Sequence, residues 1–306
     1  MSDIKLFALQ TGTATEIPGS EVALERSLQT LIELNLDTLL GVRLLASEYS
    51  TGPKHGGRID SLGIDENGSP VIIEYKRSTN ENVINQGLYY LDWLMDHRAD
   101  FQLLVMEKLG GSIPETIDWS APRLLCIAGG FTKYDDYAVG QMGRNIELIR
   151  YKRFGDDLLL LELVNAVTAP SSKAALIPSE NTNHGAPRYK TISENLAALE
   201  GPILDLYEEL DAFLQALGDD VQQTILKVYI AYKRLRNFAC VEIYSTKQLL
   251  RVYAKLDPAS VDLREGFTRD VSKIGHFGTG DLEITMSSRE DFAAAKPLLQ
   301  RSYDES

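Results

Sequence analysis

Cysteine, histidine and positive charge are all scarce in this chain, and no long apolar run occurs. Among 306 residues there are 2 cysteines and 4 histidines. Cys126 stands in Leu-Leu-Cys-Ile and Cys240 in Phe-Ala-Cys-Val, surroundings that suit buried free thiols and argue against a disulfide. No stretch approaches the ~20 apolar residues of a membrane span. The opening Met1-Ser2-Asp3-Ile4-Lys5 has no signal-peptide pattern. A cytoplasmic protein with no membrane partner is the expectation. Lysine and arginine number 31 against 44 acids, a net charge of −13. That balance excludes a general nucleic-acid coat, because phosphate contacts need Lys and Arg.

What remains is ordinary for a globular protein: 44% hydrophobic and 25% charged residues. The length allows two domains. The most informative stretch runs from Gly56 to Arg77. Arg58 to Ile64 reads as one strand, Asp65 to Ser69 as a turn carrying Asn-Gly, and Pro70 to Lys76 as the returning strand. Pro70 falls at a strand start, where a missing N–H is tolerated. Alternation puts Ile72, Glu74 and Lys76 on one face and Val71, Ile73 and Tyr75 on the other. Asp60 shares its face with Arg58 and Leu62, so an in-register hairpin lays Asp60 beside Glu74. An ionised carboxylate on so apolar a strand is costly unless paired or bound to metal. Two carboxylates and an ammonium at one strand end suit a hard cation such as Mg²⁺ or Mn²⁺. Taken alone, Glu74-x-Lys76 fits equally an ordinary same-face ion pair worth ~0–1 kcal/mol.

Around the hairpin the pattern predicts a strand over Ile4–Leu9, a loop over Thr11–Gly19, and a helix capped by Ser20 with Leu24, Leu28, Leu31 and Leu34 inward. Val42–Tyr49 reads as a strand and Ser50–Gly57 as a polar loop carrying Lys54 and His55; His55 is given no catalytic task. Ser78 and Glu81 fit a capping box for a helix running to Asp96, with Ile84, Leu88, Leu91 and Met95 buried and Gln86 and Tyr90 on another face. Phe101–Met106 and Arg123–Ala128 read as buried strands, Tyr134–Arg144 as a helix, and 146–151 with 158–163 as a closing strand pair. Residues 166–188, rich in Thr, Ala, Pro, Ser and Asn, read as a linker.

From 189 to 306 the pattern predicts helices broken at Gly201-Pro202, a helix over Val221–Arg236, strands over Phe238–Tyr244, Gln248–Lys255 and Asp281–Met286, and a last helix capped by Ser288. That is an α+β domain with an antiparallel sheet. Lys273–Asp281, with three glycines, fits either an anion-binding loop or a plain strand connection.

The order Gly56-x-x-x-Asp60, Glu74-x-Lys76, Gln86-x-x-x-Tyr90 resembles the PD-(D/E)XK nuclease superfamily. The phrases around Arg58-Ile59-Asp60 and Ile73-Glu74-Tyr75-Lys76-Arg77 look most like its NucS/RecB-like catalytic domains. The resemblance covers roughly residues 20 to 165. It departs from the usual Pro-Asp, since Ile59 precedes Asp60. It implies a restriction-endonuclease-like α/β domain over 1–165, a mixed sheet with flanking helices, joined through 166–188 to the α+β domain of 189–306. It also implies a Mg²⁺- or Mn²⁺-dependent endonuclease acting on DNA. In that reading Asp60, Glu74 and the Tyr75 carbonyl bind the metal, Lys76 serves the attacking water, and Glu25, with Glu33 as alternative, completes the shell. Lys54, Arg58, Arg77, Gln86 and Tyr90 would hold the nucleic acid. The C-terminal half resembles the small domain that follows such modules in some bacterial proteins, and it brings no catalytic residues. A catalytically silent nucleic-acid-binding or protein-interaction module of a defence or repair system is the alternative. Homodimerisation and a protein partner for the C-terminal domain stay open.

Overall fold

The computed structural model describes residues 4–22, 24–77, 82–110, 117–167 and 190–306. It divides into two compact units, Met1–Pro170 and Ser171–Ser306. The first is a mixed sheet flanked by helices; the second combines an antiparallel sheet with helices.

In the first unit, β1 (Leu6–Gln10) and β2 (Thr13–Ile17) form a separate two-stranded hairpin. The larger sheet is built from β3 (Gly19–Ser20), β4 (Val42–Ser50), β5 (Arg58–Asp65), β6 (Pro70–Lys76), β7 (Arg123–Ala128), β8 (Asn145–Phe154) and β9 (Leu158–Val167). Its order is β3-β8-β7-β6-β5-β4, with β9 also paired to β8. The expected hairpin is there: Ser61 pairs with Ile73 and Ile64 with Pro70. β6, β7 and β8 run parallel, and their connections are helical, as parallel neighbours require. Between β6 and β7 come α4 (Asn82–Asp96) and α5 (Arg98–Leu109), and between β7 and β8 comes α6 (Lys133–Gln141). Ahead of β4 are α1 (Glu25–Leu34) and α2 (Leu36–Leu40), and α3 (Gly52–His55) is one turn within the predicted polar loop.

β6 is the middle of this layer and is buried on both faces. Ile72, with Leu62, Leu124 and Leu148, packs against Ile84, Leu91 and Leu94 of α4. Val71, Ile73 and Tyr75 are fully buried on the opposite side. At the sheet end remote from Lys76, the buried Arg123 joins Asp65 and Glu147 at 2.8 Å each. The three charges satisfy one another where each alone would be costly.

Several expectations are corrected. Thr13–Ile17 is a strand of the first hairpin rather than loop. Ser20 lies in β3, and α1 starts at Glu25. Its buried face is Leu28, Gln29 and Ile32, while Leu24 and Leu34 are exposed. Phe101–Met106 belongs to α5: Phe101 and Val105 are buried while Leu103, which a strand would place on their face, is exposed, and that is the spacing of a helix. Ala166 and Val167 end β9 rather than begin a linker. The rest of that linker, and the Ser78–Glu81 capping box, lie outside the described residues.

The second unit's strands are β10 (Gln222–Ile225), β11 (Ile230–Lys233), β12 (Asn237–Tyr244), β13 (Leu249–Ala254), β14 (Thr268–Asp270) and β15 (Leu282–Met286). They form one sheet of order β10-β11-β12-β13-β15-β14. α7 (Ile192–Ala197), α8 (Pro202–Gln215) and α9 (Arg289–Asp304) cover one face, and Ser288 does cap α9. Val221–Arg236 is a hairpin, not a helix: Gln223 pairs with Tyr232 and Thr224 with Ala231. β11 is claimed by its neighbour β12, and sheet pairing overrides the local helical spacing. Lys273–Asp281 runs between β14 and β15, and His276 stacks flat on Tyr253 with ring centres 4.2 Å apart.

Candidate metal and phosphate site

The C-terminal end of β6 and the adjoining part of β5 place Asp60, Glu74 and Lys76 together. The Asp60 N–H donates to Glu74 Oε1 at 3.2 Å, and the Tyr75 N–H donates to Asp60 Oδ2 at 3.0 Å. Each carboxylate thus accepts a backbone bond from the other's strand, which fixes the two side by side. Glu74 is fully buried, and its Oε2 has no hydrogen-bond partner. Burial, and secondly the charge of Asp60, push the Glu74 carboxyl up to about 9. Burial also raises Asp60, against the Tyr75 N–H and Lys76, which pull it down. Both shifts express one fact: two acids share a poorly solvated spot with one ammonium nearby.

Lys76 Nζ is 3.1 Å from Glu25 Oε1, and the Arg77 N–H donates to Glu25 Oε2 at 3.3 Å. α1 therefore delivers Glu25, from its first turn, to the end of β6. Glu33 points elsewhere: it accepts from Ser61 Oγ at 2.6 Å and from Gln29 Nε2 at 3.1 Å, on the Tyr75 side of the sheet. Gln29 also donates to the Asp60 carbonyl at 2.8 Å and so ties α1 to the strand that carries Asp60.

Glu25, Arg58, Asp60, Lys76, Gln86 and Tyr90 line an open cleft of about 800 Å³, together with Ser50, Gly52, Pro53, Gly56 and Gly57. The Tyr90 hydroxyl accepts the Arg58 N–H at 3.1 Å and lies 3.4 Å from Gln86 Nε2. A Cβ on Gly57 would come within 2.5 Å of the Tyr90 ring, so the loop can pass there only as glycine. Lys54 is exposed on α3, and Arg77 is exposed just past β6; neither lines the cleft. The Tyr75 side chain is buried on the far face against Ser61.

One acid at this site escaped the sequence reading. Glu48 of β4 lies opposite Asp60, and its Oε2 is 2.5 Å from Arg58 Nε. The only local sign was its neighbourhood in a strand due to pair with β5.

The donor set fits a hard divalent cation. An orphaned buried carboxylate oxygen beside a second, half-buried carboxylate is what oxygen ligation would satisfy. Among the described residues, however, no three His, Cys, Asp or Glu side chains converge closely enough to hold a metal by themselves. Water or substrate oxygens would have to fill the remaining positions.

A protein of Haemophilus influenzae described as uncharacterized is 30% identical to this chain over 304 residues, covering 98% of this chain and 99% of its own length. The chain belongs to that protein's family. Within it, residues 192–306 match the Domain of unknown function (DUF5655). Two solved structures are similar over 43% of the chain: a repair endonuclease from Pyrococcus abyssi, at 20% identity and a TM-score of 0.29, and an EndoMS–dsDNA2 complex, at 21% and 0.25. The chain spans about half the length of each, 49% and 47%. No helix among the described residues is long and apolar enough to cross a membrane.

Proposed function

We propose that the first unit is a metal-dependent endonuclease acting on DNA. The observation that carries this reading is the side-by-side pair Asp60 and Glu74, with Glu74 Oε2 buried and unpartnered behind Asp60, which lines a cleft that also presents Lys76 and Arg58. The resemblance of Asp60, Glu74-x-Lys76 and Gln86-x-x-x-Tyr90 to the PD-(D/E)XK pattern supports it.

Asp60, Glu74 and the Tyr75 carbonyl are the proposed ligands of Mg²⁺ or Mn²⁺, with Glu25 at the margin. A bound divalent cation would supply Lewis acidity toward a phosphoryl oxygen and a lowered pKa for water. The chain's own groups do the rest. Lys76 orients the attacking water or offsets charge growing on phosphate, once its bond to Glu25 is exchanged. Arg58 grips the backbone beside the reacting phosphate, and Tyr90 and Gln86 hold the loop that carries it. Lys54 and Arg77, outside the cleft lining, are assigned to more distant phosphates.

The test is cleavage of plasmid and branched DNA with Mg²⁺ or Mn²⁺, comparing wild type with Asp60→Ala, Glu74→Ala and Lys76→Ala. Activity falling to background in all three is expected; equal activity in wild type and variants rejects the assignment. A second reading, binding without cutting, is favoured by the engagement of Lys76 with Glu25. Metal-independent DNA binding with no products selects it.

A further inference from the structure

Arg58 is held at several points. Its N–H donates to the Tyr90 hydroxyl at 3.1 Å, it pairs with Ser50 across β4, and its Nε meets Glu48 Oε2 at 2.5 Å. Glu48 lies between Ser47 and Tyr49, which pair with Ser61 and Ile59, so it stands across from Asp60. Its φ is 55°, the left-handed region that a residue with a side chain rarely enters, least of all within a strand. A strained backbone of this kind persists only where surrounding contacts maintain it. Here the contact it delivers is the ion pair to Arg58.

The form of that pair is informative. The carboxylate takes Nε, on the inner side of the guanidinium, and Arg58 remains 67% exposed while Glu48 is 23% exposed. The outer pair of amino groups is left for another anion. That planar edge matches two oxygens of one phosphate. Arg58 precedes Asp60 by two residues on the same strand face, about 7 Å along the strand. It therefore addresses a phosphate next to the one at the carboxylates.

We infer that Glu48 is a positioning residue, which aims the outer edge of Arg58 at a backbone phosphate flanking the reacting one. The inference rests on the nuclease reading for the identity of the anion. Glu48 touches no substrate itself; it acts through Arg58.

The sign of one substitution tests it. Glycine is the residue that the backbone at Glu48 suits, so Glu48→Gly is expected to keep a thermal midpoint no lower than wild type. Oligonucleotide binding and cleavage are then compared for wild type, Glu48→Gly, Arg58→Ala and the double variant. Titrations run in salt from about 50 to about 200 mM. Loss of aim raises KM or Kd about tenfold, the worth of one charge-assisted contact, with a smaller change in kcat. The salt dependence falls by about one phosphate contact, and the double variant is no worse than Arg58→Ala alone. If Glu48 only neutralises Arg58, removing its charge strengthens binding. Tighter or unchanged binding by Glu48→Gly overturns the inference while leaving the nuclease reading intact. A wild type that neither binds nor cuts nucleic acid overturns both.

Discussion

Replacing Glu74 by glutamine should stabilise the metal-free protein at neutral pH and abolish its response to divalent cations. The reason is the raised carboxyl. Glu74 moves from 4.5 to about 9 on folding, so the folded chain keeps a proton that the unfolded chain releases. The contribution is fully present below 4.5 and is lost as pH rises toward 9. At pH 7.5 the gap is about three pH units at about 1.4 kcal/mol each, or about 4 kcal/mol set against the native state. Glutamine keeps the acceptor for the Asp60 N–H and has nothing to titrate. Both tryptophans, Trp93 and Trp119, belong to the first unit, so urea unfolding followed by tryptophan fluorescence reports that unit alone. In EDTA, wild-type stability should fall by about 1.4 kcal/mol per pH unit between about pH 5 and 8, while Glu74→Gln stays nearly flat. Mn²⁺ at a hundred times its dissociation constant should stabilise wild type by about 2.7 kcal/mol and the variant hardly at all. Isothermal titration in buffers of different ionisation enthalpy should register about one proton released per Mn²⁺ bound at pH 7.5. Parallel pH profiles for the two proteins, or equal stabilisation by Mn²⁺, would refute the argument.

Other outcomes follow from the same geometry. Arg123→Met leaves the buried acids Asp65 and Glu147 without their partner and should cost about 3–5 kcal/mol in urea unfolding; a loss under about 1 kcal/mol contradicts it. Tyr90→Phe removes the acceptor for the Arg58 N–H and should lower stability by about 1 kcal/mol, with weaker DNA binding read by fluorescence anisotropy. In the second unit, Gly280 has φ 130°, and a Cβ there would lie 2.7 Å from the Tyr253 carbonyl carbon. Gly280→Ala should therefore destabilise that unit by more than about 1 kcal/mol, measured as a lowered calorimetric transition with the tryptophan-reported unfolding unchanged.

Short-range pattern was a dependable guide where one strand or one turn decided the outcome. The β5–β6 hairpin was legible because alternation, Asn-Gly and Pro70 agree, and with it the meeting of Asp60 and Glu74, only fourteen residues apart. Apolar runs were ambiguous without their neighbours. Phe101–Met106 went to a helix, and Val221–Arg236 went to a hairpin because β12 was there to pair with. On α1 the leucine spacing suggested one face, of which Leu28 is buried, but the sheet adds Gln29 and Ile32 to it and leaves Leu24 and Leu34 exposed, and Gln29 bonds the Asp60 carbonyl.

Glu25 could be named from its helix, yet nothing in the order of residues separated it from Glu33; the distance to Lys76 did. Glu48 was invisible until β4 lay beside β5. The sequence by itself determined the hairpin, its two carboxylates and the lysine that follows, because alternation and turn chemistry are local. Only the tertiary structure decided which helix glutamate reaches the site, and that a strained Glu48 holds Arg58. Those depend on strand register and helix rotation, which burial across the whole sheet selects.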